Sequence, residues 1–266
     1  MDTAIGEATT TIAAPQSRLR WWREAIYIGA FYLVYSAIRN LQGSTAEARR
    51  NALHVIRLEK LLHIYQEHGV QHIFGLTPNA GFNHLHWHTF IQFWDVYYGS
   101  AHFIVSVIAL IWLFRRDKTR YPLWRNTLAI TTGLALIGFA FFPLMPPRLM
   151  ADHGFVDTLK SVGGLWSFDS GAMSKVSNQY AAMPSLHCAW ALWCTCVFWP
   201  ALKHPLAKAL AVAYPLITLF CIVVTANHYL LDALGGALVF TVGYLLARTF
   251  TARMDARATA AAPAVR

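Results

Sequence analysis

The sequence predicts an all-α polytopic membrane protein: a bundle of six transmembrane helices with an amphipathic interfacial helix between spans one and two. Three observations predict it. Of 266 residues, 56% are hydrophobic, 14% aromatic and only 13% charged, with mean hydropathy +0.38, which is too apolar for a soluble globule. The apolar residues gather into six segments that reach, or nearly reach, the length needed to cross about 30 Å of hydrocarbon. Lys and Arg collect at the ends of those segments and form no basic stripe. The net charge of +9 therefore speaks for topology and anionic lipid headgroups and against a nucleic-acid partner.

Residues 1–20 are Ala- and Thr-rich, lack the parts of a signal peptide and read as a disordered cytoplasmic N-terminus, so the first span would serve as the signal. Arg18, Arg20, Trp21, Trp22 and Arg23 form a basic and aromatic collar ahead of span one, residues 25–38. From 45 to about 74 the pattern changes to a charged amphipathic helix, with Leu53, Ile56, Leu61, Ile64 and Val70 against Arg49, Arg50, Arg57, Glu59, Lys60 and Glu67. Within it His63, Glu67, His68 and His72 have metal-like spacing but read as a solvated face. Gly75 to Gly81, with Pro78 and Asn79, reads as a turn.

Span two covers residues 87–114 and ends in the basic run 115–120; Asp95 and His102 lie in it, and ionisable groups at membrane depth are functional candidates. Span three, 126–144, stops at Pro143-Leu-Met-Pro-Pro-Arg148, because paired prolines cannot continue a helix. A polar loop occupies 149–183. Span four starts at Pro184 and reaches Trp199, with Trp190, Trp193 and Trp199 read as lipid-facing or interfacial anchors. Span five runs 207–225 after the break at His204-Pro205, and span six 229–247. The membrane domain is thus 21–249, followed by a disordered cytoplasmic tail, 250–266. Cys188, Cys194, Cys196 and Cys221 fall inside apolar segments as small hydrophobes, without a disulfide framework.

Of the 22 Lys and Arg, fourteen fall on the side holding the N-terminus, the 115–125 loop, Lys203, Lys208 and the tail, which assigns that side to the cytoplasm. Three segments then share the extracytoplasmic face: the Pro-Pro-Arg loop, Ala181-Ala-Met-Pro-Ser-Leu-His187 and Ala226-Asn-His228-Tyr-Leu-Leu-Asp232. Asp232 lies one helical turn after His228, where a carboxylate on one ring nitrogen makes the other a better nucleophile. His187 comes from another helix end and could protonate a leaving oxygen. Ser185, the first amides of span four and the Arg148 fork suit phosphate oxygens. Tyr229, Asn227, Asp95 and His153 are further candidates for lining the substrate.

Pro184-Ser-Leu-His187 and His228-Tyr-Leu-Leu-Asp232, preceded by Pro146-Pro-Arg148, resemble the three-motif signature of the type-2 phosphatidic acid phosphatase superfamily, specifically its inositol phosphorylceramide synthase-like branch. The resemblance covers residues 141–236 directly. It implies a phosphohistidine at His228, oriented by Asp232, with His187 acting as acid and then base and with no cofactor or metal. Departures are Phe141 where the pattern has Lys, Leu149 after Arg148, Leu186 in the second motif and Ile222 in place of an Arg. Loss of two cations favours a singly charged phosphodiester over a phosphomonoester. The expectation is a lipid phosphotransferase or phosphatase of the plasma membrane, with lipid substrates and a lipid or water acceptor. Lys160, Lys175 or His153 could supply missing charge. Two other classes stay open: a metal-dependent hydrolase with His153, His187, His228 and Asp232 as ligands, and a non-catalytic lipid-binding or transport protein.

Overall fold

The computed structural model describes residues 20–39, 43–76, 85–161 and 178–261. The expected N-terminal segment through residue 19, the turn from Pro78 onward and Lys175 lie outside them. Among the described residues the chain is helical, with short connections and no strand. The helices are α1 (Trp21–Arg39), α2 (Thr45–Leu61), α3 (Glu67–Ile73), α4 (Leu85–Arg116), α5 (Tyr121–Phe141), the single turn α6 (Thr158–Ser161), α7 (Leu186–Phe198), α8 (Pro205–Val224) and α9 (Leu230–Ala261). Among the described residues three stretches are long and apolar enough to cross a membrane, His88–Arg116, Pro205–Val224 and Leu230–Met254.

Helix α5 packs along α9, and α7 sits against α4, α8 and α9. Gly243 makes the first contact possible, because a Cβ there would overlap Thr131 of α5. Pro215 lies inside α8, has no N–H and leaves the carbonyl of Ala211 without its helical donor. Thr195 Oγ1 of α7 fills that role at 2.7 Å, so the proline becomes a joint between α7 and α8. At the end carrying Arg115 and Arg116, Glu24 of α1 accepts from Arg125 at 2.6 Å and from the Tyr121 hydroxyl at 3.2 Å, which docks α1 on α5. Trp193 is fully buried with its indole N–H on the Trp124 carbonyl at 2.9 Å. It is therefore a core residue and no lipid-facing anchor: the buried carbonyl gives the indole the partner that an interfacial position would otherwise supply.

The expected 45–74 helix is two helices. Leu62 caps α2, His63 follows with φ 58, and Ile64 N–H returns to the Glu59 carbonyl at 2.9 Å, a left-handed closure that turns the chain into α3. The buried face of α2 is Ala48, Ala52, Val55, Ile56 and Glu59, whereas Leu61 is exposed, so the apolar face is rotated from the one expected. This face covers one end of the bundle. Met145 N–H donates to the Ala48 carbonyl at 3.2 Å, Asn51 donates to the Pro143 carbonyl at 2.8 Å, and Arg49 pairs with Asp152 at 2.6 Å. Gln71 of α3 exchanges two hydrogen bonds with the main chain of Val156, at 3.0 and 3.1 Å. At the other terminus α9 runs on to Ala261, so most of the tail expected to lack structure is helix, as its Ala and Arg content allows.

Candidate active site

The site begins where α8 ends. Thr225 caps the helix and Ala226 turns left-handed at φ 49. Ala226 N–H donates to the Val223 carbonyl and Asn227 N–H to the Ile222 carbonyl, both at 2.9 Å, a Schellman closure with alanine where glycine is usual. The carbonyl of Ala226 accepts the Arg148 N–H at 2.8 Å, which draws the Pro-Pro-Arg loop to the corner. Asn227 donates to the Thr225 hydroxyl at 2.9 Å and so braces the turn. His228 occupies the corner between α8 and α9.

Asp232 stands at the third position of α9 and reaches back to the Tyr229 N–H at 2.9 Å, the acidic half of a capping box. The same Oδ2 lies 3.3 Å from His228 Nδ1, and the Ala182 carbonyl lies 2.9 Å from that nitrogen. Both neighbours are acceptors, so Nδ1 carries the proton and the lone pair of the neutral ring is on Nε2. Nε2 is buried and has no hydrogen-bond partner among the described residues.

His187 arrives from α7. Ser185 is the N-cap, its Oγ accepting from Cys188 N–H at 3.5 Å. That places His187 in the first helical turn. Its ring stacks on Tyr98 at 4.2 Å, its Nε2 donates to the Tyr98 carbonyl at 3.2 Å, and its centroid is 5.4 Å from that of His228. His102, one turn beyond Tyr98 on α4, lies 4.2 Å from the His187 ring. Pro184 wedges between α5 and α9, both of which present glycine to its ring, Gly138 and Gly235.

Arg148 is 5% exposed and its Nη1 donates to Asp157 Oδ2 at 2.8 Å. Asp95 is buried and accepts from the Thr158 hydroxyl at 2.8 Å, beside that ion pair. Tyr229 is wholly buried under α2. His153 sits in the 3-10 turn Ala151–His153, 3.6 Å from Asp152, and no described contact brings it to His187 or His228. Lys160 is exposed. Among the described residues no three His, Cys, Asp or Glu side chains are disposed to hold a metal.

Three contributors are absent from the sequence reading: Asp157, Tyr98 and a buried acid pair. Glu59 and Glu67 are both fully buried, which corrects the solvated face expected for Glu67. Glu67 Oε1 accepts from Leu230 N–H and Glu59 Oε1 from Leu231 N–H, each at 2.7 Å. Burial, with the Glu67 charge beside it, pushes the Glu59 carboxyl up to about 9, and burial raises Glu67 as well. The signal available in the sequence was spacing, since Glu59 continues the stripe of Ala48, Ala52 and Val55.

Fold and site together define a class: a helical protein with helices long and apolar enough to cross a membrane and, at one end of the bundle, two neighbouring histidines of which His228 is buried. Residues 53–246 match the family model described as the PAP2 superfamily, and the chain belongs to that superfamily, whose members are phosphatase-type enzymes. No curated protein and no solved structure matches the chain.

Proposed function

We propose that this protein is an integral membrane enzyme that moves a lipid-linked phosphoryl group through a phosphohistidine on His228, with headgroup transfer from a phosphodiester favoured over hydrolysis. The observation that carries the reading is His228 itself: Nδ1 is held by Ala182 and Asp232, and the buried, unpartnered Nε2 belongs to a ring 5.4 Å from His187. Nε2 attacks phosphorus as the bond to the leaving oxygen breaks, and the His187 imidazolium gives that oxygen its proton. Neutral His187 then takes the proton of an acceptor hydroxyl, whose oxygen displaces the histidine and restores the free enzyme. Arg148 and the amides at the start of α7 face phosphate oxygens. The scheme requires no metal.

Charge supports a diester. Asp157 already offsets Arg148, Ile222 is fully buried among apolar groups, and Phe141 is an exposed apolar helix end. One partly offset cation suits a monoanion, whereas a dianion would need more positive charge than Arg148 supplies. The same reading has α1, α5 and α7 completing six spans, with α2 and α3 at the extracytoplasmic interface. The exposed Leu58, Leu61, Leu62 and Ile73 support that placement. The termini are then cytoplasmic and the site faces outward across the plasma membrane.

The test is transfer and release of label from a panel of labelled lipids by purified protein in EDTA, wild type against His228→Ala. Label reaching a second lipid only in wild type establishes the transferase and names the acceptor; free phosphate alone makes it a lipid phosphatase. Equal activity of His228→Ala sinks the phosphohistidine. Activity that appears only without chelator moves the reading to a metal hydrolase, and lipid binding without turnover to a binding protein.

A further inference from the structure

Glu59 and Glu67 take no part in that chemistry, yet both are fully buried at its edge. A helix start leaves its first amides unpartnered. In α9 three carboxylates satisfy them: Asp232 accepts from Tyr229 N–H, Glu67 from Leu230 N–H and Glu59 from Leu231 N–H. The last two reach across 163 and 172 residues of sequence. Anions at the positive end of a helix are favourable one at a time. Here Glu59 and Glu67 repel each other, and Asp232 adds to the charge felt by Glu59. No Lys or Arg among the described residues pairs with either acid. The titratable groups that face them are Tyr229 and Asp232 from the corner and α9, with Tyr65 from the α2–α3 link. Lys60 is exposed and stands over the Tyr65 ring, His68 meets the Phe155 ring edge, and residues 145–155 contribute Met145, Met150 and Phe155 to the same cluster.

We propose that Glu59 and Glu67 are positioning residues that clamp the first turn of α9, and with it His228, with a proton held on Glu59. Loss of that proton opens the clamp. The catalytic half of this inference rests on the reading of His228 as nucleophile; the structural half stands without it.

The sign of the pH dependence follows. The Glu59 carboxyl sits above its ordinary 4.5, at about 9. Between those values the folded chain holds a proton that the unfolded chain has released. The contribution of Glu59 to stability is therefore complete below the lower value and declines as pH rises toward the upper one.

Glu59→Gln keeps the shape, still accepts from Leu231 and is neutral at every pH. The melting temperature of the detergent-purified full chain, measured from acid to alkaline pH, is expected to fall steadily in wild type and to be level, or much flatter, in Glu59→Gln. In Glu59→Ala and Glu67→Ala, amide exchange at Leu230 and Leu231 speeds up. If the alanine variants do not fold, Glu67→Gln beside Glu59→Gln supplies the comparison. On a lipid that wild type turns over, kcat falls about 100-fold in the alanine variants with KM nearly unchanged, as for a displaced nucleophile. Glu59→Gln restores the rate and extends activity to alkaline pH. Equal pH slopes of melting in wild type and Glu59→Gln, or unchanged amide protection at Leu230 and Leu231, would overturn the clamp. If wild type turns over no lipid, the nucleophile reading fails, while melting and exchange still decide the clamp.

Discussion

Ser185 donates its backbone N–H to the backbone carbonyl of Asp232 at 2.8 Å. The helix that carries His187 and the helix that follows His228 are thus tied main chain to main chain, and short of proline at 185 no substitution at either position removes the donor or the acceptor. What permits the approach is Gly236, where a Cβ would overlap the Ser185 carbonyl.

Gly236→Ala is accordingly expected to force α7 and α9 apart. A rigid carbonyl cannot yield as a flexible side chain does, so the cost should be about 1–3 kcal/mol, with both histidines displaced. Melting of purified protein checks this. Gly235→Ala, whose Cβ would come no closer than 3.3 Å to Pro184, should cost less.

Asp232→Asn tests the tautomer. An amide can present a donor to Nδ1 and move the ring proton to Nε2, abolishing the nucleophile's lone pair. Turnover should drop by about 100- to 10,000-fold. Loss of the cap should lower stability by only about 1 kcal/mol. Rate and melting temperature measured on one preparation separate the two effects. A variant that keeps its rate would show that Asp232 serves the helix alone.

Asp157→Asn tests charge selection. Releasing Arg148 from its 2.8 Å partner leaves a full cation in the site. The ratio of phosphomonoester to phosphodiester turnover, measured on lipids with identical chains, should rise about tenfold, the size expected for one hydrogen bond to a charged group.

Thr195→Val strands the Ala211 carbonyl that Pro215 deprives of its helical donor. The expected loss is about 1 kcal/mol. Pro215→Ala restores the N–H and should cancel most of that loss in the double variant, a coupling that thermal melting of all four combinations measures.

The apolar segments located the helices because hydropathy is a local property. The predicted span four began at Pro184 and the helix begins at Leu186, with the hydroxyl of Ser185 as the cap. The His228–Asp232 spacing was legible for the same reason; the structure places Asp232 at His228 Nδ1 and the His187 ring 5.4 Å from that of His228. Other features depend on distant partners. A carboxylate reads as surface until its acceptor role toward Leu230 and Leu231 is visible, and nothing near Glu59 or Glu67 in the chain announces those amides. Trp193 reads as a membrane anchor until the Trp124 carbonyl is found under its indole. The break at His63 needs a left-handed residue that the sequence marks with neither glycine nor asparagine.

The clasp of α2 and α3 on α9 also orders the assembly of the molecule. Glu59 and Glu67 are made early in synthesis and their amide partners late, so the two bonds to α9 are the last that the covering helices make. Asn51 and Gln71 find Pro143 and Val156 first, so the cover can rest on the bundle before α9 exists and is locked only when Leu230 and Leu231 arrive. A chain halted before Leu230 would hold the cover by those earlier bonds alone, and its locking would mark the point at which synthesis has passed His228.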